Sequence, residues 1–416
     1  MNKTLDRNYK VRDSGIEWIG EIPIKWKVKK MKHISSIKTG KKDVNEGNLL
    51  GSFPFFTCSK TPSRSDGYSY DCEALLVAGN GSVGYTHYYN GKFEAYQRTY
   101  IICDFTQEIG VSFLKHYTSS LLIRCLENKS NGSVIDFIKL SDMKNFNIVS
   151  PPLYEQQAIA NYLDEQVGKI DELIAEQKQA IESWKAYKQS LITEKVTKGL
   201  NLGVEMKDSG IDWIGNIPEE WRVIRYKNIC NVFAGGTPKT DVQEYWDGDI
   251  PWIASGRVQN CLITEPTRYI TNLGIINSST KMLKRGTPVL AMTGATCGNT
   301  GFLGIDTCAN QSVMAFVPRK NDAFGKFIFY SLMAHRHVIL GEQFGGAQAG
   351  LSTEKGRNLQ ITLPPLHEQQ AIANYLDEKV GKIDELIEQK QVFIKQLEEY
   401  KQSLIYECVT GKRCVL

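Results

Sequence analysis

The sequence predicts an α+β protein in which two mixed domains, rich in strands and loops, are joined and spaced by two long antiparallel coiled-coil helices with internal pseudo-twofold symmetry. Three observations lead to this prediction. The chain contains one module twice, each copy ends in a long stretch with heptad periodicity, and the segment before each stretch is rich in Gly, Thr, Tyr and short apolar runs. The predicted domains are residues 1–152 and 201–365, and the predicted helical segments are residues 153–200 and 366–416.

The internal repeat sets this organisation. Residues 13–26 (DSGIEWIGEIPIKW) return as residues 208–221 (DSGIDWIGNIPEEW), and residues 153–174 return almost unchanged as residues 366–387. Between these markers the copies differ, yet a weak register still pairs Gly40 with Gly235, Gly84 with Gly298, Ala95 with Ala309 and Gln97 with Gln311. The second copy is longer, and its extra residues all lie between Gly235 and Gly298. One scaffold with divergent inserts predicts two binding surfaces of different specificity.

Each copy ends in a predicted long helix. Residues 155–197 contain no proline and a single glycine, and their apolar residues follow alternating spacings of three and four. Such a helix is about 65 Å long at 1.5 Å per residue, so it needs a partner, and we expect its twin to be that partner. The cyclic order of the repeat further predicts that the end of the second helix approaches the entry segment at residues 13–20.

The predicted helix–helix seam consists of apolar residues, with polar residues in two slots of each ladder. The polar slots hold Gln177 and Lys188 in the first copy, and Lys390 and Lys401 in the second. The apolar seam comprises Ala160, Leu163, Val167, Ile170, Ile174, Ile181, Trp184 and Leu191, and then Ala373, Leu376, Val380, Ile383, Ile387, Ile394, Leu397 and Leu404.

The charge is unevenly distributed along the chain. The whole sequence carries a net charge of +4, but residues 155–197 and 368–410 together carry −7, which leaves +11 on the variable segments and their flanks. A local positive excess of this kind favours binding to phosphates. Basic residues near aromatic residues and loops are the candidate DNA contacts, because such side chains reach phosphates and base edges. They are Lys41, Lys42, Lys60, Arg64, Arg98, Lys239, Arg257 and Arg268. The matched amides Gln97 and Gln311 are either further contacts or buried structural residues.

Other motifs point away from chemistry in this chain. Residues 79–84 fit G-x-G-x-x-G, but an aromatic, strand-like segment follows, so a tight turn between strands is the better interpretation. Residues 150–153 and 363–366 are only superficially similar to the loop of amino-methyltransferases, because the fourth residue is Leu in both. We interpret His335 and His337 as a polar helix face or a phosphate contact. No Walker A, H-E-x-x-H or C-x-x-C motif is present, so we expect no catalytic residue, cofactor site or metal ligand, and ten reduced cysteines.

The repeated P-P-L-x-E-Q-Q-A-I-A-N-Y-L-D, followed by a long helix and combined with the entry D-S-G-I-x-W-I-G-x-I-P, resembles the specificity subunit of type I restriction-modification systems. The likeness covers essentially the whole chain. It implies two target recognition domains, each reading one half of a split site in double-stranded DNA. Because the two domains differ, we expect the site to be asymmetric, and we expect the long helices to set the spacer. The likeness also implies two modification subunits, which bind S-adenosylmethionine and methylate adenine, and ATP-driven restriction subunits. The base-reading residues of the family lie in its hypervariable parts, so none is carried over.

Two alternatives stay open at this point. One is an adenine methyltransferase acting alone, which binding of S-adenosylmethionine would reveal. The other is a coiled-coil adaptor or DNA-binding protein without restriction partners, for which salt-dependent DNA binding is the discriminating measurement. The N-terminal residues lack the apolar run of a targeting signal, and no apolar stretch approaches membrane-spanning length, so the sequence predicts a cytoplasmic protein with no membrane contact.

Overall fold

The computed structural model describes residues 10–48, 50–129, 136–201, 203–319, 323–341 and 350–415. The chain folds into two compact units. Unit 1 comprises Met1–Lys178 with Gln391–Leu416, and unit 2 comprises Gln179–Lys390. Each unit thus holds one variable segment and a part of both long helices. Residues 1–9, where the sequence predicts no targeting signal, lie outside the described residues.

Unit 1 is built around a six-stranded sheet with the order β4-β9-β7-β8-β5-β6, in which β5 and β8 are parallel and the other neighbours antiparallel. Smaller antiparallel pairs join β1 to β2 and β3 to β10. The strands are β1 (Val11–Asp13), β2 (Glu21–Pro23), β3 (Lys27–Lys30), β4 (Ser36–Thr39), β5 (Phe53–Phe56), β6 (Ser63–Ser65), β7 (Tyr70–Ala78), β8 (Thr86–Ala95), β9 (Thr99–Cys103) and β10 (Asn147–Ser150). The helices are α1 (Val111–Lys129), α2 (Leu140–Asn145) and the long α3 (Leu153–Lys198), with short 3-10 helices at Met31–His33 and Val44–Glu46.

Unit 2 repeats this plan with additions. Its strands are β11 (Met206–Asp208), β12 (Asn216–Pro218), β13 (Arg222–Arg225), β14 (Cys230–Ala234), β15 (Trp246–Ile253), β16 (Cys261–Ile263), β17 (Arg268–Ile270), β18 (Pro288–Ala291), β19 (Thr300–Leu303), β20 (Cys308–Ala309), β21 (Val313–Pro318) and β22 (Gln360–Leu363). They form a five-stranded sheet (β14-β21-β18-β19-β16), a three-stranded sheet (β17-β15-β20) and the pairs β11-β12 and β13-β22. The helices are α4 (Tyr226–Ile229), α5 (Asn272–Ile276), α6 (Gly325–Ala334), α7 (Arg336–Gly341), α8 (Thr353–Asn358) and the long α9 (Leu366–Val409), with 3-10 helices at Gln243–Tyr245, Ser255–Arg257 and Gly294–Thr296.

The two long helices confirm the predicted fold class. Each begins directly after a Pro-Pro pair, and each is followed by a glycine with positive φ, +79° at Gly199 and +74° at Gly411, which ends the helix because glycine adopts the left-handed conformation at little cost. In unit 1 the helices run antiparallel, since Arg413 lies 3.5 Å from Tyr162 while Lys401 bonds Asp171 at 2.6 Å.

The side chains predicted for the seam lie mostly in the interior of their own unit. In unit 1 Leu163, Ile170, Ile174, Ile394 and Leu404 are buried, and Val167 and Leu397 are half-buried. In unit 2 Ile181, Leu191, Leu376, Val380, Ile383 and Ile387 are buried, and Trp184 is half-buried. Two of the four polar slots form matched interhelical ion pairs, Lys401 with Asp171 in unit 1 and Lys188 with Asp384 at 2.5 Å in unit 2. These residues are equivalent in the repeat, so each helix supplies one Lys and one Asp.

Residues of the repeated entry and of the repeated helix start form hydrogen bonds that join each long helix to the domain before it. The indole Nε1 of Trp26 donates to Glu155 Oε2 at 2.7 Å, and Trp221 donates to Glu368 in the same way at 3.0 Å. The glutamine that follows each glutamate also bonds to the preceding domain. In unit 1 the amide oxygen of Gln156 accepts from the backbone N–H of Gly110 at 2.7 Å. The counterpart bond joins Gln369 to Phe324 at 2.8 Å. The near-identity of the repeated segments therefore has a structural cause.

The far end of each helix is held by the entry segment. In unit 1 the hydroxyl of Tyr406 donates to the carbonyl of Trp18 at 3.1 Å, and Lys412 donates to the carbonyl of Glu21. This confirms the prediction that the end of the second helix approaches the N-terminal entry. In unit 2 Lys198, at the end of α3, donates to the carbonyls of Ile214 and Asn216.

The Trp–Glu bonds yield a stability prediction. Glu155 is only 4% exposed, so Trp26→Phe removes a donor from a buried carboxylate, and we expect a loss of about 1.5 to 3 kcal/mol in the local stability of the start of α3. The matched change Trp221→Phe should cost less, since Glu368 is half-buried and water can replace the indole. Hydrogen exchange of peptides covering residues 153–163 and 366–376 measures both effects. Equal losses in the two units would contradict this account.

Candidate nucleic-acid interface

Four segments of unit 1 that flank the strands of its large sheet are joined to one another by hydrogen bonds. They are residues 40–48, 57–62, 79–85 and 96–98, and we call them loop end 1. Backbone bonds tie them together: Gln97 N–H donates to the Lys42 carbonyl at 3.0 Å, Gly79 N–H to the Arg98 carbonyl at 3.0 Å, and Ser82 N–H to the Cys58 carbonyl at 2.9 Å. The position of each segment thus depends on the others, and their side chains share one surface.

The equivalent segments of unit 2 are residues 235–239, 253–260, 292–300 and 309–312, and we call them loop end 2. Gly236 N–H donates to the Ala309 carbonyl at 2.8 Å, and Asn260 N–H donates to the Thr300 carbonyl at 2.7 Å. Isolated bridges at matched repeat positions join Asn80 to Phe137 in unit 1 and Thr293 to Gly350 in unit 2. The two loop ends are therefore built on one scaffold.

Glycines explain the weak register between the copies. A Cβ at Gly40 would lie 2.2 Å from the carbonyl oxygen of Ala95, and a Cβ at Gly235 would lie 2.1 Å from that of Ala309. At both positions the backbone passes so close to the opposite strand that a side chain has no room. Gly84 and Gly298 have φ values of +76° and +81°, which other residues adopt only with strain.

The extra residues of the second copy change the surface and leave the scaffold in place. Residues 57–62 connect β5 to β6, whereas residues 254–267 connect β15 to β17 and contain the added edge strand β16, which pairs with β19. After β17 the chain also forms α5, which has no counterpart between β6 and β7. Asn260 adopts φ +58° where the added strand begins, and its side chain accepts from Thr300 N–H at 2.9 Å.

Loop end 1 brings together most of the predicted contacts of unit 1. Lys41, Lys60 and Arg98 are exposed on it. Lys42 lies there too, paired with Glu46 at 2.7 Å, and this bond raises the pKa of Lys42. Arg64 lies outside these segments, on the edge strand β6, with its guanidinium 3.4 Å from the carbonyl of Ser52. Four of the five predicted residues are thus neighbours.

In unit 2 a tryptophan joins two of the predicted residues. The guanidinium of Arg268 lies 4.3 Å from the ring centre of Trp246, and Trp246 donates through its indole to the carbonyl of Lys239 at 3.0 Å. Arg268 also lies 3.4 Å from Asp247, and stacking and ion pairing together fix its direction. Arg257, on the 3-10 helix of loop end 2, pairs with Glu265 at 3.5 Å. Trp246 was not among the predicted residues; it begins strand β15, and the Asp-Gly that follows it at 247–248 was the available sequence signal.

Three interpretations of single motifs are settled by their surroundings. Residues 79–84 form the turn between antiparallel β7 and β8, as predicted. Gln97 and Gln311 are both exposed, so the buried alternative for these amides is wrong. His335 is buried, so its assignment to a polar helix face is wrong too. Its ring nitrogens lie 2.6 Å from the carbonyls of Ser331 and Gln360, its ring packs against Trp213, and burial lowers its pKa. His337 stays exposed.

The exposed side chains of the loop ends suit binding to nucleic acid. Within the described ranges, no three His, Cys, Asp or Glu side chains are grouped in a way that would hold a metal ion. In the same part of the chain, none of the helices combines the length and the apolar character that crossing a membrane requires. What the loop ends offer is exposed Lys, Arg and Gln side chains on loops whose backbones are fixed by hydrogen bonds, which is the equipment that phosphate and base contacts need.

Comparison with known proteins gives consistent results. The family model for the type I restriction modification DNA specificity domain matches residues 23–183 and 218–396. The chain is 33% identical over 174 residues to the type I restriction enzyme EcoDI specificity subunit of Escherichia coli, covering 42% of this chain and 38% of the relative. It is 27% identical over 305 residues to the MjaVIII specificity subunit of Methanocaldococcus jannaschii, covering 71% of this chain and 69% of the relative.

A solved structure resembles the whole fold. This chain matches one from a study of complex assembly and conformational transition of the type I R-M system, with a TM-score of 0.70, 16% identity and coverage of 94% of this chain and 99% of the other. At this level of identity the likeness concerns the fold.

Proposed function

Because the chain belongs to the type I restriction-modification DNA specificity family, we propose that it reads an asymmetric, two-part sequence in double-stranded DNA for a restriction-modification complex. Residues 1–152 and 201–365 are the two target recognition domains in this proposal. Loop end 1 reads one half-site and loop end 2 reads the other. The observation that carries the proposal is that one scaffold, fixed by matched glycines, presents two different sets of loops and basic side chains.

The chain itself is proposed to perform no chemistry. The methyl transfer and the ATP-driven cleavage then belong to other subunits, two for modification and further ones for restriction, and the complex works in the cytoplasm on DNA. This division agrees with a sequence that has neither a Walker A motif nor a convincing glycine loop for S-adenosylmethionine.

The long helices are proposed to set the spacer between the half-sites. A helix of 46 residues is about 69 Å long at 1.5 Å per residue, and one turn of duplex is about 34 Å. Two recognition domains attached to such helices therefore read short sequences with unread bases between them. The reciprocal bonds Lys188–Asp384 and Lys401–Asp171 support a fixed helix register, because a shifted register would separate both pairs.

Matched apolar residues on the helices are the proposed docking sites for the modification subunits. In unit 1 Leu173 and Tyr400 are 41% and 50% exposed, beside the Lys401–Asp171 bond. In unit 2 their repeat equivalents Leu386 and Tyr187 are 38% and 53% exposed, beside the Lys188–Asp384 bond. Two equivalent patches fit two copies of one partner. An exposed glutamate adjoins each patch, Glu172 in unit 1 and Glu385 in unit 2. The proposed partner is therefore a helix with an apolar face and a basic flank.

Exchange of one variable segment tests the division of recognition. When residues 27–149 are replaced by the equivalent segment of another family member, only one half-site should change, because the second loop end is untouched. Genome-wide mapping of methylated adenines in cells that carry the complete complex gives the recognised sequence. The reciprocal exchange of residues 222–362 is the matched control and should change only the other half. A change in both half-sites after either exchange would overturn the assignment.

Insertion in the helices tests the spacer. Seven residues added after Lys178 and after Gln391, which are equivalent in the repeat, lengthen both helices by about 10 Å, or about three base pairs of duplex at 3.4 Å each. We expect the unread spacer to grow by that amount while both half-sites stay the same, as read from the mapped methylation. Insertion in α3 alone should abolish methylation, since the seam residues no longer match. An unchanged spacer in the double insertion would refute the proposal.

Charge substitution tests the docking patches. Leu173→Glu with Tyr400→Glu should remove one modification subunit from the complex, and Leu386→Glu with Tyr187→Glu should remove the other, because a carboxylate cannot enter an apolar contact without a partner. Native mass spectrometry counts the bound subunits. Leu273→Glu, at an exposed apolar residue of α5, is the control and should keep both. Two subunits bound to the variant with all four substitutions would place docking elsewhere.

A further inference from the structure

A recess in unit 1 is lined by three lysines of the segment that follows the entry motif. Lys25, Lys27 and Lys29 face it, together with Glu108 and the Pro151-Pro152 pair before α3, and its volume is about 260 Å³. Lys27 and Lys29 share a face because they are alternate residues of β3, and Lys25 lies in the turn that precedes the strand. We call this site the lysine recess.

The recess carries an unbalanced positive charge. Lys29 pairs with Glu108, its partner across the recess. Lys25 and Lys27 are exposed, and their ammonium groups form no hydrogen bond or ion pair with any residue that the structure describes. The recess therefore contains two lysine ammonium groups beside one neutralised ion pair. The two ammonium groups repel each other, and a bound anion would reduce this repulsion.

Unit 2 shows that the fold does not require these lysines. The pair β13-β22 repeats the pair β3-β10 with the same register, yet the residues equivalent to Lys25, Lys27 and Lys29 are Glu220, Arg222 and Ile224. The same backbone thus forms with a carboxylate, a guanidinium and an apolar side chain in place of three ammonium groups. The charge of the recess has no architectural reason, and one unit alone possesses it.

The position of the recess favours DNA as its ligand. The chain leads from β3 through the exposed Lys30 and Lys32 to β4 and then directly to Gly40, where loop end 1 begins. Strand β4 has four residues and spans about 13 Å, which corresponds to about four base pairs of duplex. Exposed lysines therefore follow the recess along the chain toward the loop end proposed to read bases, and Lys38 on β4 pairs with Asp104. Lysine binds phosphates as a point charge without reading sequence.

We propose that the lysine recess holds backbone phosphates of the duplex flanking the half-site read by unit 1, so that the protein grips DNA beyond its recognition sequence on that side only. This inference rests on the proposed DNA-reading function. It adds a base-independent anchor and an asymmetric footprint: the flank beside unit 1 contributes to affinity, and the flank beside unit 2 contributes less.

The experiment uses the assembled modification complex and a duplex that contains the recognised site. The binding constant K for DNA decreases with salt, so the slope of log K against log salt is negative. For Lys25→Gln with Lys27→Gln, the magnitude of this slope should decrease by about 1.8, since each lost phosphate contact removes about 0.9. The methylated sequence should stay the same. Trimming the flank beside unit 1 should remove the difference between variant and native complex. Trimming the flank beside unit 2 should leave it.

A matched control separates phosphate contacts from net charge. Lys169→Gln with Lys382→Gln removes the same charge at equivalent positions of the two helices, where each lysine is exposed and pairs with a glutamate four residues earlier. This variant should keep the native slope. An unchanged slope in the recess variant, an equal fall in the control, or loss of a bound subunit from the recess variant in native mass spectrometry would each overturn the inference. Absence of specific DNA binding by the native complex would instead refute the proposed function itself.

Discussion

A bond between an indole and a carboxylate joins the entry segment to the start of the long helix in each half of this protein. Trp26 and Glu155 are 129 positions apart, and Trp221 and Glu368 are 147 positions apart, yet each pair meets where a long helix begins. In both pairs the tryptophan belongs to the repeated entry and the glutamate to the repeated helix start. A carboxylate withdrawn from water needs a donor, so the two repeated elements are bound to each other directly. The variable segment between them can then change in length and sequence while the start of the helix remains anchored.

A second constraint fixes the backbone positions of the loops and leaves their side-chain identities free to vary. The close approach of backbone at Gly40 and Gly235 sets where the chain leaves the sheet, and the hydrogen bonds among the loop segments set where it returns. Between these points unit 2 adds the strand β16 and the helix α5. The additions alter the exposed surface and use the same strand pairing, since β5 with β8 and β15 with β20 are equivalent parallel pairs. A recognition surface of this design can diverge while its support is conserved between the two copies.

Much of the fold could be predicted because repetition and periodicity are local signals. The heptad spacing and the lack of proline indicated two long helices, and the order of the repeat indicated that the end of α9 meets the entry at residues 13–20. The order of strands in the sheets could not be predicted, because it depends on contacts between distant residues. The same limit explains the error at His335, whose burial results from Trp213 and from the carbonyl of Gln360. For the candidate site, the sequence supplied basic residues near aromatic ones, but the stacking of Arg268 on Trp246 required strands β15 and β17 to be paired.

The two units differ in how the chain supplies them. Unit 2 is one uninterrupted stretch, Gln179–Lys390, whereas unit 1 also needs Gln391–Leu416. The N-terminal part of a polypeptide emerges from the ribosome first, so the part of α3 in unit 1 emerges early. Its apolar side chains, such as Ile170 and Ile174, stay uncovered until Gln391–Leu416 has been synthesised. Unit 2 can close first. A product that ended at Lys390 would keep unit 2 whole and leave uncovered apolar residues of α3 on unit 1. Such a surface promotes aggregation and marks the chain for degradation.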